Sequence, residues 1–129
     1  MDRTDHIMRE RLPDTRKSVT HKAVIRYEAE GKAKRLKFYF TVGLYDDGRP
    51  GELFLHMDES GSTLDGMADI VGICISLCLQ EGVPLERLVE KLAWQEFEPK
   101  GMTENPQIRF TKSVIDYVVR WMEMQFKGI

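Results

Sequence analysis

The stretch LKFYFTVGLYDDGRPGELFLHM, residues 36 to 57, decides the fold. From 36 to 45, Phe38, Phe40, Val42 and Leu44 fall on one face and Tyr39, Thr41, Gly43 and Tyr45 on the other, the two-residue alternation of a half-buried strand. Asp46-Asp47-Gly48-Arg49-Pro50 has the chemistry of a turn, and over 51 to 57 Leu53, Leu55 and Met57 alternate inward. Upstream, VTHKAVIRYE at 19 to 28 is rich in β-branched and aromatic residues, with a break at Glu30 and Gly31. These three segments predict an antiparallel three-stranded meander.

Past residue 60 the period changes to that of a helix. Ser62 or Thr63 can cap a helix running to about Gln80, with Gly82 beyond its end and Pro84 opening a short helix to Leu92. Leu64, Met67, Ala68, Val71, Cys74, Ile75 and Cys78 form one apolar stripe, widened by Ile70, Ile73 and Leu77, which leaves Asp65, Asp69, Gly72, Ser76 and Gln80 as a narrow polar strip. A helix so apolar needs cover on more than one side. WQEFEPKGMTENPQIRF, 94 to 110, reads as a long ordered loop, and a last helix is expected from about Lys112 to Phe126. The class is α+β: a meander on a long buried helix, with a short helix, a long loop and a C-terminal helix.

Length and composition bound the chemistry. The chain has 129 residues, 42% hydrophobic and 31% charged, with a net charge of -2, which fits one globular domain. A radical-enzyme barrel needs on the order of 200 residues or more, so none is contained here. No run approaches the ~18 uninterrupted apolar residues of a membrane span, and the start lacks the apolar middle of a signal peptide. A cytoplasmic protein with no membrane contact is expected. Residues 1 to 35 carry ten Lys/Arg against six Asp/Glu, whereas 36 to 129 carry nine against fifteen. Residues 1 to 18 thus read as a basic, partly flexible arm and 19 to 129 as the domain. Arg9, Arg11, Arg16, Lys17 and Lys22 offer charge to phosphates or an acidic partner, while a pI near 5.9 argues against nucleic acid.

Few residues converge on chemistry. Glu59-Ser60-Gly61-Ser62-Thr63 leads into a helix start, where free N–H groups attract anions, so Gly61, Ser62 and Thr63, with Lys17 and Arg49 for charge, form the candidate phosphate site. Trp94 and Phe97 are candidates for base stacking or for an interface. Cys74 and Cys78 read as buried packing residues, since His6, His21 and His56 have no ligand spacing to them; no metal site is expected. His21 and His56, on strands, suit hydrogen-bonded roles better than catalysis. No nucleophile and base pair can be assembled, so no catalytic residue is assigned.

Several phrases, in order, carry a family resemblance: LPDTRKSVTHK, TVGLYDDGRPGELFLHM, EGVPL, FEPKGMTENP and KSVIDYVVRWM. Over residues 12 to 126 the chain resembles the TSCPD-type carboxy-terminal module of adenosylcobalamin-dependent (class II) ribonucleotide reductases. In those enzymes, the resemblance implies, radical chemistry, cobalamin and the redox cysteines belong to a large barrel outside this module. The cysteine motif that names the module is absent, Phe97-Glu98-Pro99 standing in its loop. The resemblance therefore implies no cofactor and no catalytic residue for this chain.

The expected function is that of a stand-alone, non-catalytic accessory module in deoxyribonucleotide metabolism. It would dock on a reductase or a nucleotide-handling complex through Arg11 to Lys22 and the loop from Trp94 to Pro106. The alternative is an oligomeric protein, in a setting that would suit a phage, that sequesters a nucleotide-like ligand. Homo-oligomerisation is expected on either reading, through the central helix and through Val114, Tyr117, Val118, Trp121, Met122 and Phe126 of the last one. On that basis Tyr117→Asp leaves a folded but dissociated chain.

Overall fold

The structure, a computed structural model, describes residues 9–58 and 61–129. Three long strands, β1 (Ser18–Ala29), β2 (Lys32–Leu44) and β3 (Pro50–Met57), are followed by helices α1 (Thr63–Gln80) and α2 (Leu85–Leu92). Two short strands, β4 (Gly101–Thr103) and β5 (Phe110–Thr111), precede α3 (Val114–Phe126). The expected meander is present and antiparallel throughout, with Phe40 opposite both His21 and Leu55. It is not the whole sheet, however. The order is β3-β2-β1-β4-β5, because the segment read as a loop folds back and adds two strands beside β1, pairing Ile25 with Thr103. Strands of three and two residues, the first opening on Gly101 and both set among Pro99 and Pro106, leave no alternation for a sequence pattern to register.

Strand alternation places Ala23, Ile25, Phe38, Phe40, Val42, Leu53, Leu55 and Met57 on one buried face. The other face stays open, with Tyr39 and Phe54 exposed and the Thr20 and Thr41 hydroxyls sharing a hydrogen bond. β1 turns into β2 through Glu30 and Gly31, both left-handed, as a two-residue hairpin requires.

α3 covers the buried face. Tyr117 and Trp121 stand edge-on to Phe40 at 6.3 and 5.0 Å between ring centroids, and Val118 and Met122 are fully buried. The last helix therefore closes the core within one chain. Tyr117, 1% exposed, is a core residue and not the exposed interface position expected from the sequence.

α1 overturns a second expectation. Its polar strip, Asp69 excepted, faces inward along the outer edge of β3: the Asp65 carboxylate accepts from Met57 N at 3.0 Å, Ser76 Oγ accepts from Leu53 N at 2.8 Å, and Gln80 donates to Gly51 O at 3.0 Å. Between them Gly72 lets the helix touch the strand, since a Cβ there would stand 2.9 Å from Leu53 O. Ala68, Gly72 and Ile75 are its buried residues, Leu64, Val71 and Leu79 pack partly against the core, and the other large apolar ones point away. Met67 is 62% exposed, Ile70 55%, Ile73 50% and Leu77 44%; Cys74 is exposed and Cys78 half-buried, so neither cysteine is the core residue expected. The side chains that looked like a solvent strip are the ones an edge strand needs, because its outward N–H and C=O groups require polar partners. By length and composition α1 is apolar enough to cross a membrane, yet here it lies along β3.

Candidate functional site

The sequence-derived phosphate candidates divide between the two ends of the sheet. Ser62 caps α1, its side chain accepting from Asp65 N at 3.1 Å, and the Asp65 carboxylate in turn takes Gly61 N at 3.1 Å. Those backbone bonds, from Gly61 and then from Met57, hold the Asp65 carboxyl below its ordinary range, so the helix start carries a fixed negative charge. The adjoining cavity of about 340 Å³ has Lys37 and Arg35 on its walls, but also Asp58 and Glu98. Glu59 and Ser60 lie outside the described residues, as does His6. Arg49 sits at the far end of β3, some eight residues or roughly 26 Å away. There it pairs with Glu10 at 3.0 Å and Asp47 at 2.6 Å and lies over the Tyr45 ring. Lys17 is at that same end, its carbonyl accepting from Leu44 N.

The lead into β1 is fastened from residue 10 onward. Glu10 N donates to Gln80 O, Tyr45 Oη to Glu10 O at 2.6 Å, and Arg16 makes a two-pronged pair with the buried Glu52 at 2.5 and 3.0 Å. Gly43, opposite Glu52 in the sheet, leaves the room that carboxylate occupies; any Cβ there would collide with it.

Around β4 and β5 the structure builds an aromatic platform. Trp94, 60% exposed, has φ of 66°, a conformation that a bulky residue adopts at a cost of about 1–3 kcal/mol and keeps only when its surroundings enforce it. Asp116 enforces it from α3. Its fully buried carboxylate accepts from Trp94 N at 2.6 Å, Lys112 N at 2.9 Å and Thr111 Oγ1 at 3.0 Å. The Arg120 guanidinium stands 4.1 Å from the centre of the Trp94 ring and donates to Phe110 O. Phe97 N donates to Lys112 O, which places Phe97, 42% exposed, on the same segment as exposed Phe110 and Met102. Trp94 is thus held against α3 and Phe97 against Lys112, while Glu98 and Pro99, next in the chain, line the cavity beside Ser62.

A second cluster was not legible. His21 Nε2 and Tyr117 Oη are 2.9 Å apart, Asn105 donates to the same oxygen at 3.0 Å, and Trp121 stacks obliquely on the imidazole at 5.0 Å. They border an open cavity of about 570 Å³. Burial pushes the His21 pKa down and the Tyr117 pKa up. The residues are 96 positions apart, and only the pairing of β4 with β1 swings Asn105 over the ring, so no local spacing could have announced them.

The sequence profile of the TSCPD domain matches residues 9–126, which includes the lead, the whole sheet and all three helices. The chain belongs to the TSCPD domain family. Its relatives include the vitamin B12-dependent ribonucleotide reductase of Rhodopirellula baltica, 50% identical over 118 residues that make up 92% of this chain and 11% of that protein. Those of Streptomyces avermitilis and Bradyrhizobium diazoefficiens are 41% and 38% identical over 119 residues, again 92% of this chain but 12% and 9% of theirs. This TSCPD domain therefore spans about a tenth of the length of the curated relatives it matches. No solved structure matches it.

Among the described residues no three His, Cys, Asp or Glu converge as metal ligands. His21, which borders a cavity, has its Nε2 on Tyr117 and its ring among Phe40, Tyr117 and Trp121. What the arrangement does offer is a rigid, ring-rich surface held in place from beneath.

Proposed function

We propose that this TSCPD domain is a non-catalytic accessory module of a vitamin B12-dependent ribonucleotide reductase, docking on the catalytic body through the platform around Trp94. The observation that carries the reading is the left-handed backbone of Trp94, which lifts an indole into solvent while a buried carboxylate and an arginine fix it from below. Strain of this kind persists where it serves a surface, and large pre-positioned rings beside arginine are the usual anchors of a protein interface. Chemistry, cobalamin and location would then be those of the reductase, in the cytoplasm, and the basic residues from Arg11 to Lys22 would widen the contact. The ligand-sequestering alternative has less behind it, because Gly61 N is taken by the Asp65 carboxylate, Asp65 N by Ser62 Oγ, and Arg49 is engaged by two carboxylates.

The test is calorimetric titration of this chain into the catalytic body of a vitamin B12-dependent reductase truncated before its own TSCPD segment. Binding is expected, with Trp94→Ala weakening it about 30-fold, the equivalent of a 2 kcal/mol anchor, and Phe54→Ala on the open sheet face leaving it unchanged. Absence of binding, or equal loss from both variants, would refute the proposal. Supplied with adenosylcobalamin and a dithiol, the chain by itself is expected to form no deoxyribonucleotide.

A further inference from the structure

The outward face of α1 exposes Met67, Ile70, Ile73 and Leu77, an apolar feature that the docking reading leaves unused. It lies along the β3 edge, across the sheet from the Trp94 platform. We infer that this face is an interface with a second copy of this chain, the two α1 helices packing antiparallel about a two-fold axis level with the peptide between Val71 and Gly72.

Three features specify a copy of the chain itself. The outward residues Gly66, Ile70, Ile73 and Leu77 follow a four-three-four spacing that reads the same in both directions, so reversing one helix superposes the seam on itself. In that register Ile70 meets the partner's Ile73, and Gly66 meets the partner's Leu77. The second pairing sets a leucine opposite the smallest seam residue, and the space where a Gly66 Cβ would stand is empty to 4 Å.

The third feature is charge. Residues 63 to 81 contain no Lys or Arg; the last turn has no basic residue and Glu81 closes it. A helix C-terminus carries partial negative charge, and the antiparallel arrangement keeps the two C-terminal ends at opposite ends of the seam. Asp69, the one charged residue exposed within α1, falls level with the partner's Cys74, about 7.5 Å along the axis from the partner's Asp69. A parallel pair would stack Gly66 on Gly66 and align like ends. A lipid surface is a poor occupant, because helices that lie on membranes carry Lys and Arg on their polar faces and this one carries acids.

Sedimentation of the wild-type chain from about 1 to 100 µM tests the pairing. A species of twice 15.0 kDa is expected in the upper part of that range. Ile70→Lys is expected to raise the dissociation constant at least 100-fold with an unchanged far-ultraviolet circular dichroism spectrum, since Ile70 is 55% exposed. Register is read by disulfide trapping in a Cys74→Ser, Cys78→Ser background. Chains carrying Gly66→Cys should cross-link to chains carrying Leu77→Cys and not to themselves. A wild-type chain that stays at 15.0 kDa up to 100 µM overturns the inference, whether or not it binds vesicles or a reductase. Predominant self-linking of Gly66→Cys refutes the antiparallel register. Neither outcome depends on the Trp94 platform, so this inference and the docking proposal fail separately.

Discussion

Replacing Asp116 with asparagine changes one oxygen for an NH₂ group at the point where the 94–112 segment meets α3. The carboxylate accepts three hydrogen bonds, one on Oδ1 from Trp94 N and two on Oδ2 from Thr111 and Lys112. An amide has one acceptor atom. Its best orientation keeps the oxygen toward Thr111 and Lys112 and turns NH₂ against Trp94 N, leaving one donor without a partner at about 1–3 kcal/mol. The two remaining bonds lose their charge assistance, which adds about 1 kcal/mol. The sum is about 2–4 kcal/mol. With a urea slope of about 1.5 kcal/mol/M for a domain of this size, the unfolding midpoint should fall by roughly 1.5–2.5 M. Asp69→Asn, an exposed carboxylate change in a helix, is the control and should leave the midpoint in place. If Asp116→Asn moves the midpoint by less than about 0.3 M, the carboxylate is not what holds Trp94, and the platform argument fails with it.

Three further outcomes can be measured on the same chain. Ser76→Ala should cost about 1–2 kcal/mol in urea unfolding despite better helix propensity, because Leu53 N loses its acceptor. Burial holds the folded His21 pKa below 6.5, so the unfolded chain binds that proton more readily. This contribution to stability is complete above about pH 6.5 and is lost as the pH falls from there toward the folded value; His21→Gln should remove that part of the slope, seen as thermal midpoints between about pH 5 and 7. Tyr117→Asp should abolish the folded far-ultraviolet spectrum, since an unpaired carboxylate at a 1% exposed core position costs several kcal/mol out of about 5–15 in total. A folded Tyr117→Asp monomer would contradict the packing of α3.

The strands of the meander were readable because each buries one face, so hydrophobic alternation is written directly into Phe38, Phe40, Val42, Leu53 and Leu55. The start of α1 was readable for a similar reason: Ser62 accepts from the backbone N–H group three residues on, as a cap residue does. The orientation of α1 was not. Hydrophobicity alone places Asp65, Ser76 and Gln80 in water, and only the sheet order, with β3 outermost, creates the unpaired backbone groups they serve. Trp94 and Phe97 were picked out as large rings in a polar segment, but their support, Asp116, lies on another element and looks in sequence like an ordinary first-turn acid. The two families of sites differ in this way: one follows from local period, the other from which strand ends beside which.

The side chains that α1 lays along β3 also govern how far association can proceed. An outermost strand with free hydrogen-bonding groups is a template onto which another strand can add, and each addition regenerates the template, so growth has no natural end. Here Met57 N, Leu53 N and Gly51 O are already occupied on one side of the sheet, and β5 on the other offers only two residues. In the pairing inferred above, copies of the chain would meet through helices, where a two-fold contact uses up the surface that made it. Fibre formation is blocked at the level of the backbone while pairing stays open, a useful property for a module whose relatives carry it as one part of a much longer chain.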